Sequence, residues 1–302
     1  MANTVNLSGL TEYVAQNVDQ LFVKSVAGAK TLDYIALIPN VKYKTALHLL
    51  DSSVVLADGS VCEWDPAGDD TFSERMLEVK PVKVQKEFCI PAFREKVSNL
   101  QMNFEAGREK LPWQERIAES NIFEIQKAVE SLIWRGDANL GISGLTEIAS
   151  AETGSVKVEF ASGATSIAKI DAVVAAIPVA ALAKGVNIFL SYTDFRNYVA
   201  EQNASCCANR PIVDAAAEAI KYPGDSRIQL VPVMGLEKAT SADTAYIVAA
   251  PADVLVYGTD LEGSETVYKW FMDEKTDTMN FKVLFNAGVQ IALPDEVVIG
   301  SE

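Results

Sequence analysis

The sequence predicts a mixed α+β chain, and three observations carry that prediction. Residues 111–135 hold a long amphipathic helical pattern. Residues 41–95 join a turn-rich stretch to apolar residues at two-residue spacing. Residues 234–298 are a series of strand-like runs separated by turn signals. With 302 residues, 49% of them hydrophobic, there is material for one elaborate domain or two ordinary ones.

In chain order, residues 1–40 read as an arm containing a helix, because Leu10, Val14, Val18, Leu21 and Phe22 recur at helical spacing and Pro39 and Asn40 close the segment. The next segment, 41–95, is turn-rich through residues 56–70. After it Leu77, Val79, Val82, Val84, Phe88 and Ile90 fall mostly two apart, with one slip between Val79 and Val82. Lys80, Lys83 and Lys86 lie between them, so the pattern predicts a long β-ribbon with one apolar and one basic side. Pro81 favours an edge position or the site of the slip. A two-stranded ribbon is marginal by itself in water, so this one needs its own domain or a neighbouring subunit to lie on.

The helix at 111–135 has Pro112 near its start and Gly136 just past its end. Ala118, Ile122, Ile125, Val129 and Leu132 line one face, while Glu119, Gln126, Lys127 and Glu130 lie mainly elsewhere. About 24 residues at ~1.5 Å each make a rod of roughly 36 Å. Residues 150–250 alternate: a strand at 154–160, a helix at 167–177 stopped by Pro178, and a strand at 185–190. Ser191 to Asp194 resembles a capping box that opens a helix over 195–199. An Ala-rich helix is predicted over 211–222, closed by Pro223 and Gly224, and a strand over 228–233. No repeat of 20–50 residues is visible.

The charge balance narrows the function classes. There are 26 basic and 41 acidic residues, a formal net charge of −15, and a pI near 4.6. That argues against a protein gripping nucleic acid through many phosphate contacts, and it suits a surface that does not adhere to DNA. No apolar run reaches the roughly 18 residues of a membrane span, and the N-terminus lacks the pattern of a signal or transit peptide. The four cysteines form no C-x-x-C pair, and adjacent Cys206 and Cys207 would strain a mutual disulfide. Reduced thiols in a cytoplasmic setting are expected.

Catalytic chemistry is not visible. His48 is the only histidine, so a Ser-His-Asp or Cys-His device would have to use it, and its place before the ribbon predicts a surface or satisfied side chain. There is no P-loop, no G-x-G-x-x-G, no nucleophile elbow and no EF-hand loop. Asp65, Asp69 and Asp70 are read as solvated turn acids rather than a calcium loop. Asp260 with Glu262 and Asp273 with Glu274 are the carboxylate pairs available for acid–base work, and both read as surface acids. The expectation is no catalytic residue, no cofactor and no metal.

Three tail features resemble the C-terminal end of tailed-phage major capsid proteins. They are Val254-Leu255-Val256-Tyr257-Gly258-Thr259-Asp260 after an Ala-Pro step, the segment Tyr268-Lys269-Trp270-Phe271-Met272-Asp273, and a long alternating strand ending in Gly288-Val289-Gln290-Ile291 before Leu293-Pro294. The stretch Ile133 to Leu145, with its glycine-rich turn and Gly144-Leu145, is similar to the family's segment just after the spine helix. The order of parts resembles the Hong Kong 97 fold over nearly the whole chain. The resemblance implies an N-terminal arm (1–40), an E-loop β-ribbon (41–95), a peripheral domain with the spine helix (96–149), an axial domain (150–249) and a return to the peripheral domain (250–302). It implies that residues 278–291 form a long strand beside the spine helix, with Leu293 and Pro294 turning the chain into a last strand.

The function so implied is a capsid protein that assembles as hexamers and pentamers of an icosahedral head. The head encloses double-stranded DNA, contacts it non-specifically, and is built in the host bacterial cytoplasm with no membrane partner. A portal and a scaffolding protein are implied partners, since no long helical scaffolding segment precedes the arm. Leu77, Val79, Val82, Val84 and Phe88 of the ribbon, with Leu10 and Val14 of the arm, are the expected subunit-interface residues. Two other readings are an encapsulin-like shell around a protein cargo and an α/β enzyme using carboxylates.

Overall fold

The computed structural model describes residues 29–52, 55, 70–89, 113–161, 163–204, 219–238, 243–260, 268–273 and 278–302. After a short 3-10 turn at Lys30–Asp33 come β1 (Ala36–Ile38), β2 (Lys44–Ser52), β3 (Asp70–Glu78) and β4 (Lys80–Cys89). The long helix α1 spans Trp113–Arg135, as its periodicity predicts. It ends at Gly136, whose φ of +71° is the left-handed conformation that terminates a helix at little cost only in glycine. A small hairpin, β5 (Gly136–Asp137) and β6 (Ile142–Ser143), leads into α2 (Leu145–Ala151).

The middle of the chain is β7 (Val156–Glu159), α3 (Ser166–Ala176), α4 (Val179–Lys184), β8 (Val186–Ser191), α5 (Tyr192–Ala204), β9 (Ile220–Tyr222) and β10 (Asp225–Val233). Pro178 stops α3 as expected, but it also sits at the N-cap of α4, where a missing N–H costs nothing. The capping residue is Ser191: its Oγ accepts from the Asp194 amide at 3.0 Å and donates to the Asp194 carboxylate at 2.8 Å. An N-cap at Ser191 puts the first helical residue at Tyr192, so α5 begins three residues earlier than expected and runs on to Ala204. Of the helix expected over 211–222, residues 220–222 are instead the edge strand β9 and the stretch before 219 lies outside the described residues. The tail forms β11 (Tyr246–Ala250), β12 (Leu255–Asp260), β13 (Tyr268–Asp273), β14 (Thr278–Ile291) and β15 (Val298–Ser301).

Two sheets organise these elements. The five-stranded sheet is centred on β14. β13 and then β12 pair antiparallel along one edge of β14, β4 pairs along the other, and β1 adds parallel to β12. The six-stranded sheet has the order β7-β15-β11-β8-β10-β9. The last strand therefore belongs to the six-stranded sheet. There β15 fills the slot between β11 and β7.

The six-stranded sheet is covered on both faces, which is why β8 is buried almost throughout. Ile188, Leu190, Ile228 and Leu230 meet α3 and α5 through Ile170, Val173 and Tyr198. On the other face Phe189, Val231 and Val248 join the core built around α1 and the inner face of the five-stranded sheet. Trp134, fully buried near the end of α1, lies 4.9 Å from Phe189 ring to ring and so stands where the two sheets meet.

Candidate functional site

The apolar series read as one ribbon strand is two strands in different sheets. Leu77 belongs to β3, Val79 is the link, and Val82 and Val84 lie in β4 beside β14. The slip in spacing between Val79 and Val82 marks the break. Leu77 packs with Val256 and Ala292, and Val82 joins the main core with Val84 at its margin. Leu77, Val79 and Val82 are 0%, 5% and 8% exposed within their own chain. Within their own chain these three side chains are core. Phe88 pairs through its backbone with Met279, and Leu10 and Val14 lie outside the described residues.

The true ribbon is β2 with β3, joined by nine register pairs from Lys44 opposite Glu78 to Ser52 opposite Asp70. Among the described residues no third strand pairs with it. Residues opposite one another share a face. Leu47, Leu49 and Leu77 take the face that packs on the chain's own β1 and β12. Ala46, Phe72 and Met76 take the other face, where Phe72 is 79% and Met76 51% exposed. Phe72 and Met76 are the outward apolar residues the sequence reading missed. Their four-residue spacing in a strand was the signal, masked by Glu74 between them. The ribbon is not basic either: Lys80, Lys83 and Lys86 sit in β4, and Lys86 reaches Asn121 of α1 at 3.0 Å.

The root of the ribbon is built for close approach. Gly258 and Gly288 face one another across β12 and β14, and the chain at Leu77–Val79 crosses over them. A Cβ at Gly288 would stand 2.1 Å from the Glu78 carbonyl oxygen, and one at Gly258 2.7 Å from the Leu77 side chain. Gln290 donates to the Met76 carbonyl at 2.9 Å, and Arg75 donates to the Ile291 carbonyl at 2.8 Å and to the Glu152 carboxylate.

A buried carboxylate fastens the 3-10 turn at Lys30–Asp33 to α1. Glu130 is 3% exposed, although its place in the helical pattern predicts otherwise. The Thr31 amide donates to it at 2.7 Å and the Thr31 hydroxyl at 2.8 Å, while the Trp134 indole donates to the Thr31 hydroxyl at 2.9 Å. Burial pushes the Glu130 pKa up, and the hydrogen bonds from Thr31 and the Gly235 amide pull it back part of the way. Nothing in the helical period announces this, because the partner lies 99 residues away.

The other polar candidates are dispersed. His48 is 72% exposed and pairs with its cross-strand neighbour Glu74 at 3.2 Å. Asp260 ends β12 and Asp273 ends β13, with the second member of each carboxylate pair outside the described residues. Among the described residues no three His, Cys, Asp or Glu side chains converge to hold a metal ion, and no helix is long and apolar enough to cross a membrane.

No protein-family model matches the chain, and no curated protein sequence matches it. Solved structures do. A chain of the satellite phage P4 procapsid superposes with a TM-score of 0.58 at 9% identity, over 99% of this chain and 92% of that one. The Mycobacterium phage Ogopogo structure gives 0.57 at 12% identity, over 89% and 90%. The holo-SrpI encapsulin of Synechococcus elongatus PCC 7942 gives 0.54 at 10% identity, over 92% and 88%. The chain has the α+β fold that these phage and encapsulin chains share, the Hong Kong 97 fold.

Proposed function

We propose that this chain is the major capsid protein of a tailed double-stranded DNA phage. Copies assemble as hexamers and pentamers into an icosahedral head, and the product is a shell rather than a reaction. One observation carries the reading. The β2–β3 ribbon holds Phe72 and Met76 out to solvent and pairs with no third strand among the described residues. A ribbon that covers nothing on its outer face is marginal until a neighbour covers it, and each apolar side chain so buried is worth roughly 1.5–3 kcal/mol.

The net charge of −15 fits a container that holds DNA without adhering to it. In this reading the partners are further copies of the chain, a scaffolding protein, a portal and the packaged DNA, and the site of action is the virion. The test is to express the chain with and without the scaffolding protein of its genome and image the product by electron cryomicroscopy. Capsomers or closed shells are expected. A strictly monomeric protein under both conditions would overturn the reading, and shells filled with a protein cargo would replace it with the encapsulin one.

A further inference from the structure

The outward face of the ribbon carries a titratable pair between its two exposed apolar side chains. In the β2–β3 register His48 stands opposite Glu74, with Met76 in the next same-face pair toward the root and Phe72 in the next one away from it. His48 Nδ1 lies 3.2 Å from a Glu74 carboxylate oxygen, and both side chains are exposed. The other ionisable groups described on this face are Lys44 and Glu78, closed on one another at 2.9 Å near the root, and Asp70 toward the far end. Arg75 belongs to the inner face, where the Ile291 carbonyl and the Glu152 carboxylate hold it. Among the described residues no third strand pairs with the ribbon.

A contact that covers Phe72 and Met76 also covers the pair between them. While the face is open, water screens both charges and the pair contributes little. Once the face is covered, a carboxylate opposite a neutral imidazole is a charge taken out of water with no counter-charge, which is costly. A carboxylate opposite a protonated imidazole is a hydrogen-bonded pair with no net charge. Histidine is the side-chain type whose charge ordinarily changes roughly between pH 5 and 8, and His48 is the only one in the chain. Copies of a chain with a net charge of −15 also repel one another, and a proton gained on contact reduces that repulsion.

We propose that the His48–Glu74 pair makes the covering of this face by a second copy depend on pH, the contact closing on the protonated pair and loosening as pH rises. This rests on the shell reading and adds its regulation, whichever surface of the second copy meets the face. The covered state holds the His48 proton more tightly than the open state. The contact is therefore strongest at the acid end of the histidine range and weakens as pH rises through it. Glu74 has to stay ionised, so the effect ends where carboxylates protonate.

The test is the concentration of full-length chain needed for half-maximal assembly, measured by sedimentation at one ionic strength at about pH 6 and about pH 8. One proton taken up per contact changes that concentration by about tenfold per pH unit at most, so wild type should need about fivefold less protein or better at the acid end. H48Q should lose the difference and behave throughout like wild type at the alkaline end. E74Q should reverse it, because the protonated imidazole is then the charge without a partner, and H48Q/E74Q should show none. Urea unfolding of the unassembled variants controls for folding. Wild-type assembly that does not change with pH, an H48Q chain that keeps the change, or an E74Q chain that keeps its direction each overturn the proposal and leave the shell reading intact. A wild-type chain that oligomerises at neither pH removes both.

Discussion

Replacing Glu130 by alanine tests the attachment of the 3-10 turn at Lys30–Asp33 to α1. The side chain is 3% exposed and accepts from the Thr31 amide at 2.7 Å and the Thr31 hydroxyl at 2.8 Å, with a further hydrogen bond from the Gly235 amide. Removing it strands these donors in a dry site beside Trp134. Each stranded donor costs about 1–3 kcal/mol, and part of that is recovered if the site relaxes, so E130A should lose about 3–5 kcal/mol. For a chain of this size that is a fall in Tm of roughly 6–10 °C. E130Q keeps the volume and an acceptor for the Thr31 amide, and should lose about 1–2 kcal/mol. The sign of the pH dependence comes from the burial. Burial raises the folded-state pKa above the ordinary 4.5, so the folded chain holds this proton more tightly than the unfolded one. The associated stability is fully present below the unfolded value and is lost as pH rises through the folded value. Urea unfolding of the unassembled chain, monitored by circular dichroism across that window, should show the slope in wild type and not in E130Q. An E130A protein within about 1 kcal/mol of wild type would refute the reasoning.

Three further outcomes are expected. Leu77→Ala should destabilise the unassembled chain by about 2–5 kcal/mol in the same assay, because the residue is 0% exposed within its own chain; a subunit-contact residue would leave the lone chain unchanged. Gly288→Ala should cost about 1–3 kcal/mol or more and speed proteolysis within the ribbon, since the new Cβ would lie 2.1 Å from a backbone oxygen that can yield only by moving the crossing chain. F72S/M76S should leave the stability of the lone chain within about 0.5 kcal/mol, as exposed substitutions do, while assembly measured by sedimentation falls about tenfold or more.

The readings that survive the structure rest on local periodicity. Ile122, Ile125, Val129 and Leu132 recur at helical spacing, and α1 spans Trp113–Arg135 with those side chains buried. Phe281, Val283, Phe285 and Ala287 alternate with Lys282, Leu284 and Asn286, and β14 spans Thr278–Ile291 with the first set inward. A repeat of 3.6 or 2 residues is a property of neighbours in the chain, so it can be read without knowing the fold.

What covers a face is a different matter, and there the sequence by itself stops. The two-residue spacing of Leu77 with Val79, and of Val82 with Val84, says which side chains share a face. It does not say that Leu77 lies under the ribbon and Val82 in the main core, nor that the lysines between them belong to a sheet rather than to the ribbon. Glu130 sits beside the polar positions of an amphipathic helix, and only the arrival of Thr31 from 99 residues away turns it into a buried anchor. Gly258 and Gly288 read as ordinary strand glycines until the chain at Glu78 is seen to pass over them. Local sequence determined the elements and their inward sides. The tertiary structure decided which surfaces are spent within the chain and which, like Phe72 and Met76, are left over, because burial depends on partners distant in the sequence.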